Sequence, residues 1–399
     1  MRISNLKIIL PDRIIPIGSI QIENGLITDI VEGTLPHCDM DAQGLMAIPG
    51  IIDMHGDMLE REIEPRPNAR LPYDLALHEL DKRLISAGVT TAYAAVSFSE
   101  ISILKASLRR SDTASEICNA IYANRQHLLV DLRVHARFEV TNDNSPPILT
   151  ELIEDGLVDM ISLNDHTPGQ GQYRDIEKYL VSMSQWRNIS SDYATHVTRD
   201  LVKEAQARPI AWETIRAVTN IAQLHQLPIA SHDDDTPSKV NLMHDMGCGI
   251  SEFPVTLEAA QAAKDKGLAI AMGAPNALRG VSTSSNLSAQ DAIAAGLVDM
   301  LASDYHPGAL LQAAFLIADR GLLSLPQAIA LITANPARAL GLVDRGTLAV
   351  GMQADLVLLT NHARPRVCAT FREGKQIYSS AFNQLRSVDS VDYIQNKSK

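Results

Sequence analysis

The chain has 399 residues, of which 46% are hydrophobic and 21% are charged, so it can bury a large core and is not expected to be disordered. Its net charge of −12 argues against nonspecific binding to nucleic acid or an anionic membrane, although a metal ion or local arginines could still admit an anionic substrate. The four cysteines show no CxxC spacing and no apolar stretch has the length of a signal peptide or a membrane helix, so we expect a cytoplasmic protein without a disulfide framework.

Residues 1–47 are predicted to form short strands. The segments 6–10 and 14–17 are largely apolar, which is typical of strands that contribute to a core. The segment 20–30 alternates between apolar and polar residues around Asn24-Gly25, a strong signal for a tight hairpin. This part of the chain is therefore predicted to be rich in antiparallel strands.

From residue 48 onward, apolar strands alternate with helical segments such as 75–87 and 111–129. Eight strands are predicted, at residues 48–54, 90–96, 132–140, 158–164, 227–232, 249–255, 268–273 and 298–303. This alternation indicates an α/β fold with a parallel sheet. Eight repeats favour closure into a TIM-like (β/α)8 barrel over residues 48–344, with a doubly wound open sheet as the alternative.

The connection between Gly169 and Arg208 is longer than the others. It is predicted to contain helices at residues 176–186 and 192–207. An insertion after the carboxyl end of a barrel strand lies on the face where barrels hold their active sites, which suggests a lid or a substrate-binding excursion. A long crossover helix explains the same residues equally well.

After the eighth strand, residues 325–340 are predicted to form a helix in which Asn335-Pro336 marks a bend or a boundary. Strands are predicted again at residues 346–359 and 367–378. Because strand-rich segments bracket the barrel, we expect residues 1–47 and 345–380 to pair as one small β-sandwich. Residues 381–399 are predicted to be a polar tail.

The first barrel strand ends in Asp53, His55 and Asp57, spaced by two residues. Side chains on a strand alternate between its faces, so these three are expected to point the same way. Two carboxylates and an imidazole are costly to bury unless they are paired or bind a metal. A solvent-facing loop with a chance histidine is the alternative.

Other predicted strand ends carry similar groups. Histidine lies beside or close to aspartate where strands four, five and eight end, in segments 162–166, 230–235 and 302–307, and the sixth strand carries Glu252. Four polar residues of the third strand share one parity, which would place charges inside a barrel: Arg133, His135, Arg137 and Glu139. Because a barrel gathers the carboxyl ends of its strands at one face, these residues predict a metal site.

Imidazole and carboxylate ligands without a nearby thiol favour Zn²⁺, with Mn²⁺ or Fe²⁺ as alternatives, over Ca²⁺. Such an ion would lower the pKa of its water to about 7 and supply a nucleophile at neutral pH. A carboxylate at the rim of the barrel could take the proton of that water and pass it to the leaving group.

Three segments resemble the amidohydrolase superfamily: Pro49 to Asp57, Ala302-Ser-Asp304, and Gly351 to Val357. Further stretches resemble the PhnM family of the carbon–phosphorus lyase pathway within that superfamily: 55–61 with Pro65-Arg-Pro67, 164–174, 231–236 with 252–254, and 303–307. The resemblance implies a barrel of the amidohydrolase type. It also implies a metal-dependent diphosphatase that converts α-D-ribose 1-methylphosphonate 5-triphosphate to the 5-phosphate and pyrophosphate.

The resemblance further implies roles for individual residues. Asp304 would bind metal and shuttle the proton, and one or two metal ions per chain would be held by His55, Asp57, Glu139, His166, His232 and Asp304. The superfamily generally carries its two later histidines on the fifth and sixth strands, whereas the strands predicted here place them on the fourth and fifth.

Three arginines beside the metal-binding segments offer planar donors for phosphate: Arg66, Arg137 and Arg174. Each could instead be a surface residue, although parity directs Arg137 inward. The expected partner is a small phosphorylated ribose phosphonate, with no nucleic acid and no membrane, and a homo-oligomer is left open. The alternatives are an amidohydrolase that cleaves the C–N bond of a cyclic amide or an N-acyl sugar, and a non-catalytic subunit that keeps the fold for assembly.

Overall fold

The structure is a computed structural model that describes residues 1–66, 68–99, 108–177, 202–203, 206–207, 209–282, 286–360, 362 and 364–380. The helices predicted at residues 176–186 and 192–207 lie largely outside these residues. The predicted polar tail and Pro67 lie outside them as well. Within the described residues, no helix combines the length and the hydropathy that crossing a membrane requires.

The N-terminal segment contains five strands: β1 (Arg2–Ile9), β2 (Ile14–Glu23), β3 (Leu26–Glu32), β4 (Met40–Asp41) and β5 (Met46–Pro49). Strands β2 and β3 pair antiparallel across Asn24 and Gly25, which have φ angles of 51° and 81°. A two-residue turn with both φ angles positive suits Asn-Gly and matches the twist of the strands it joins. The predicted hairpin is confirmed.

Eight parallel strands follow: β6 (Ile51–Gly56), β7 (Val89–Phe98), β8 (Asp131–Glu139), β9 (Met160–Asn164), β10 (Ile229–His232), β11 (Ile250–Glu252), β12 (Ala269–Gly273) and β13 (Met300–Ala302). They pair in chain order, and a parallel bridge between Gly56 and Asp304 brings the last strand back to the first. Each overlaps one of the predicted segments. The predicted barrel is confirmed, and the open sheet is excluded by this return.

Among the described residues, the strands are separated and followed by these α-helices: α1 (Leu59–Ile63), α2 (Tyr73–Ser86), α3 (Ser111–Asn124), α4 (Ser145–Glu154), α5 (Trp212–Leu224), α6 (Pro237–Asp245), α7 (Leu257–Asp265), α8 (Ala274–Arg279), α9 (Ala289–Ala294), α10 (Gly308–Asp319), α11 (Leu325–Ala330) and α12 (Ala334–Ala339). The single helix predicted at residues 325–340 is two short helices. The break lies at residues 331–333, just before the predicted Asn335-Pro336 boundary.

Alternation along β8 divides the core into two layers. Val134, Ala136 and Phe138 are buried in the hydrophobic cluster between the strands and the helices. Burying a side chain as large as that of Val134 or Phe138 contributes about 1.5–3 kcal/mol. The intervening His135 and Arg137 are buried too, but they meet polar groups of other strands. Inward polar positions therefore form a charged interior that the outer apolar layer supports.

Strands β14 (Leu356–Leu359), β15 (Val367–Arg372) and β16 (Lys375–Ser379) complete the N-terminal sheet. Its strand order is β16-β15-β14-β5-β1-β2-β3, with β4 beside β1, so the two ends of the chain pair as predicted. Only Gly50 separates β5 from the first barrel strand, and a Cβ atom there would lie 2.2 Å from the Thr90 hydroxyl oxygen. The division at residues 47 and 345 stays a prediction.

Candidate metal centre and active site

The carboxyl ends of the barrel strands surround a cavity of about 160 Å³. Six of the titratable side chains in its lining are His55, Asp57, Arg137, His232, Asp233 and Asp304. Glu139 ends β8 and His166 follows β9, and both belong to the same cluster through contacts described below. The barrel therefore brings together all six predicted metal-binding residues at the face where barrels hold their active sites.

His55 lies at the centre of this cluster and is fully buried. Its Nε2 atom is 3.4 Å from an Asp57 oxygen, and its Nδ1 atom is 3.4 Å from Oε1 of Glu252. Burial lowers the pKa of His55, but the charges of Glu252 and Asp57 outweigh burial and raise it to about 10. The site therefore strongly favours a positive charge at this imidazole or beside it.

His232 and His166 form the second half of the cluster. The Nδ1 atom of His232 is 2.9 Å from Oδ2 of Asp233, and the Nε2 atom of His166 is 3.9 Å from the same oxygen. On its other side, His166 is held by Glu139, whose Oε2 lies 2.6 Å from Nδ1 and whose Oε1 accepts the His166 backbone amide at 3.0 Å. Glu139 therefore fixes the direction of the His166 ring.

These residues fit a divalent metal. Two groups of three have ligand atoms close enough to hold an ion, and they share one histidine: His55, His232 and Glu252, and His166, His232 and Asp233. Several of the buried atoms involved make no hydrogen bond with any described residue: both ring nitrogens of His55 and both oxygens of Glu252. Leaving such atoms unsatisfied costs about 1–3 kcal/mol each, and a bound cation would remove that cost.

Glu252 and Asp233 were not among the predicted ligands. The sequence carried a signal for both, since Glu252 was placed on the sixth strand and Asp233 follows His232 directly. Glu252 is completely buried, and its Oε1 lies 3.8 Å from Nε2 of His135 as well. Asp233 adopts a φ of 56°, which turns its side chain toward the cluster rather than along the strand.

Asp57 and Arg137 form a tight pair at the cavity wall. One guanidinium nitrogen of Arg137 donates to both Asp57 oxygens, at 2.8 and 3.0 Å, and the other lies 3.4 Å from Nε2 of His232. Burial disfavours the Asp57 carboxylate, but Arg137 and His55 outweigh it and hold the pKa of Asp57 well below its usual range. Arg137 is thus inside the barrel, as parity predicted, and already neutralised by a carboxylate.

Asp304 follows the last strand and is half-buried at the cavity. Its φ of 55° is held by two backbone hydrogen bonds, from its own amide to the His55 carbonyl and from the Asp57 amide to its carbonyl. Burial and the neighbouring charge of Asp57 raise the pKa of Asp304 to about 6. A carboxyl group of this kind can accept and release a proton near neutral pH.

Of the three arginines predicted to bind phosphate, the structure places one at the cavity and two away from it. Arg137 lines the cavity, whereas Arg66 and Arg174 are exposed and do not line it. Arg279, which sequence reasoning did not single out, does line it. The sheet order also shows that β9 and β10 are the fourth and fifth barrel strands, so the predicted strand count is correct.

Comparison with known proteins identifies a family and a relative to which this chain is similar. The profile of the amidohydrolase family matches residues 188–378. The chain is 34% identical over 388 residues to the α-D-ribose 1-methylphosphonate 5-triphosphate diphosphatase of Escherichia coli strain K12, and this alignment covers 95% of the chain and 100% of that protein.

Solved structures share the fold at much lower identity. N-acetyl-D-glucosamine-6-phosphate deacetylase from Mycobacterium smegmatis superposes with a TM-score of 0.65 at 15% identity, over 95% of this chain and 100% of that one. A D-hydantoinase superposes with a TM-score of 0.62 at 13% identity, over 95% of each chain. These likenesses concern the fold, a barrel with an accompanying sheet.

Proposed function

Because the chain belongs to the amidohydrolase family, in the group of the E. coli diphosphatase, we propose that it hydrolyses α-D-ribose 1-methylphosphonate 5-triphosphate to the 5-phosphate and pyrophosphate. The protein is a hydrolase of a metal-dependent family. The observation that carries the proposal is the full-length match to that relative, together with a cluster of imidazoles and carboxylates at the carboxyl ends of the strands. This places the chain in phosphonate metabolism.

We propose that His55, His232 and Glu252, with His166 and Asp233, hold the metal, and that Asp57, Glu139 and Asp304 complete the set. Two groups that share His232 support either one ion or two per chain. A mixed imidazole and carboxylate set without thiolates favours Zn²⁺, with Mn²⁺ or Fe²⁺ as alternatives. When bound, the ion supplies Lewis acidity toward a phosphoryl oxygen and lowers the pKa of a water.

In this proposal Asp304 is the proton acceptor. Its carboxylate accepts a proton from the water that attacks the α-phosphorus, the bond from that phosphorus to the bridging oxygen breaks, and pyrophosphate leaves. Burial and the charge of Asp57 raise the pKa of Asp304 above that of an ordinary carboxyl, which favours uptake of the water's proton and its transfer to the leaving pyrophosphate. Arg137 holds Asp57 in place, so the carboxylate beside Asp304 keeps one orientation.

Phe253 supports the same chemistry by excluding solvent. Its ring centroid lies 5.0 Å from that of His55 and 5.2 Å from that of His232, in edge-to-face arrangements. It also lines the cavity. An apolar ring against two imidazoles keeps their surroundings at low polarity, which strengthens electrostatic interactions with a charged substrate.

Phosphorus NMR of the reaction mixture tests the proposed function. With the ribose triphosphate as substrate, we expect the signals of pyrophosphate and a 5-phosphate to grow together. Orthophosphate with a 5-diphosphate would show that a different bond is cleaved. An absence of any reaction by the metal-loaded protein would exclude the proposed activity and favour C–N hydrolysis, which a cyclic amide and an N-acyl sugar phosphate would then test.

A further inference from the structure

Arg279 is a cation in the cavity wall that sequence reasoning did not single out. It ends α8, the short helix that directly follows β12, the seventh strand of the barrel. Its side chain is exposed and lines the cavity. It forms no ion pair with any residue that the structure describes, whereas Arg137 is bound by both oxygens of Asp57.

The wall that carries Arg279 is held in place by its neighbours. Asn276 on the same helix donates to the carbonyl of Leu287 at 3.0 Å and accepts the amide of Ala289 at 3.1 Å. Gly280 ends the helix with a φ of 75°, and its amide donates to the carbonyl of Asn276. The backbone that presents Arg279 is therefore fixed to the start of α9, and only its side chain is left to adapt to a ligand.

The cavity needs such a cation if its substrate is a polyanion. Asp57, Asp233 and Asp304 all line it, and their negative charges offset those of Arg137 and of a bound metal ion. The positive charge of Arg137 is already balanced by Asp57. The charge of a bound metal ion would likewise be balanced by the carboxylates that bind it. Arg279 is therefore the described cavity-lining side chain whose positive charge has no carboxylate partner.

We propose that Arg279 binds the two terminal phosphates of the substrate, the part that leaves as pyrophosphate; this inference rests on the proposed function. A guanidinium presents paired donors that match two phosphate oxygens. TIM barrels frequently bind phosphate through the loops after their seventh and eighth strands, and Arg279 lies after the seventh. It thereby determines specificity for a triphosphate over a monophosphate.

Steady-state kinetics of Arg279→Gln and Arg279→Lys test the proposal. For the glutamine variant we expect the KM for the triphosphate to rise about 10- to 100-fold, the loss expected for one charge-assisted interaction. The kcat should change less than about threefold, because the contact is made in the ground state and the transition state alike. Lysine should restore part of the loss. Arg338→Gln is the matched control, since Arg338 is an exposed arginine in the last turn of another six-residue helix and does not line the cavity.

Inhibition by each of the two products distinguishes the proposed pyrophosphate site from the site that binds the rest of the substrate. Inorganic pyrophosphate, supplied with excess Mg²⁺ so that it does not strip the bound metal, should inhibit Arg279→Gln much more weakly than the wild type. The ribose 5-phosphate product should inhibit both about equally. A KM and a pyrophosphate inhibition constant within about twofold of wild type would overturn the proposal.

The role of Arg279 can be tested separately from the proposed function. If the wild type does not hydrolyse the triphosphate, calorimetric binding of magnesium pyrophosphate still decides the role of Arg279. Weaker binding by the glutamine variant than by wild type and Arg338→Gln would support an anion site at this wall. Equal binding by all three proteins would overturn it.

Discussion

Asp53 and Ser303 join the first and last strands of the barrel through two hydrogen bonds. The backbone amide of Ser303 donates to Oδ1 of Asp53 at 3.0 Å, and its hydroxyl donates to Oδ2 at 2.5 Å. Both residues are fully buried. Because β13 ends at Ala302, this pair holds the residue immediately before Asp304 against the strand that carries His55. Barrel closure and placement of the proposed proton acceptor thus depend on the same contact.

Ser303→Ala should reduce both stability and kcat. It leaves Oδ2 of Asp53 buried without its donor, which should lower the free energy of unfolding by about 1–3 kcal/mol, measured by urea denaturation. Ser19→Ala is the control, because Ser19 is also fully buried, its hydroxyl donates to the Gly33 carbonyl, and it lies in the other sheet. The control should lose stability and keep its kcat. Equal kcat for both variants would show that Ser303 does not position Asp304.

Asp304→Asn should lower kcat by about 10²- to 10⁴-fold, the usual contribution of a positioned proton acceptor. The amide keeps the size of the side chain and one oxygen but accepts no proton near neutral pH. The rate is measured on protein of determined metal content, because loss of a metal ligand would also reduce it. A metal-replete variant with more than about a tenth of the wild-type kcat would place the base elsewhere.

Glu252→Gln should weaken metal binding. Glu252 is completely buried, its Oε1 faces both His55 and His135, and neither of its oxygens makes a hydrogen bond with any described residue. Whether it binds the ion or orients His55, losing its charge should raise the dissociation constant about 10- to 100-fold. Competition with a chromogenic chelator measures this directly. Glu151→Gln, an exposed position on α4, should bind metal like the wild type.

The stability of the barrel should fall at low pH through Asp131 at the start of β8. Burial disfavours its carboxylate, but Arg133 and Arg345, at 3.0 and 2.8 Å, outweigh burial and hold the pKa of Asp131 below 3.8. A lowered folded-state pKa contributes stability above the ordinary pKa, and this is lost as the pH falls through the lowered value. Asp131→Asn should therefore be less stable than wild type at neutral pH.

The pH dependence of that difference distinguishes charge from packing. Urea denaturation between pH 7 and pH 2 should show the two proteins converging as Asp131 becomes protonated in the wild type. Asp12→Asn, which removes an exposed partner of Arg13, should match the wild type throughout. A constant gap between Asp131→Asn and wild type would mean that the lost contact is steric.

Much of the fold was predictable because each barrel strand is an apolar run bounded by turn residues. Local pattern also located His55, His232 and Asp304, since all three lie at or just beyond strand ends. Local pattern does not show how deeply a side chain is buried within the barrel. Glu252 was therefore assigned to its strand without being counted as a ligand.

The arginines show a second limit of prediction from the sequence. Arg66 and Arg174 adjoin site residues in sequence but are exposed, because a loop can turn its side chains away within a few residues. Arg279 reaches the cavity only because α8 packs its Ala274, Pro275 and Ala277 against the barrel. Such an orientation depends on tertiary packing, which periodicity within a six-residue helix does not reveal.

The central position of β5 has a consequence for protein synthesis. Its register pairs Met46 with Leu359, so β5 is synthesised long before the strand with which it pairs. Contacts so distant in sequence slow folding. A chain released before Leu356 would contain the proposed ligands and Arg279, yet β5 would expose an unpaired edge beside the first barrel strand, and exposed edges promote aggregation. The residues of the proposed active site are therefore synthesised well before β14 can cover this edge of β5.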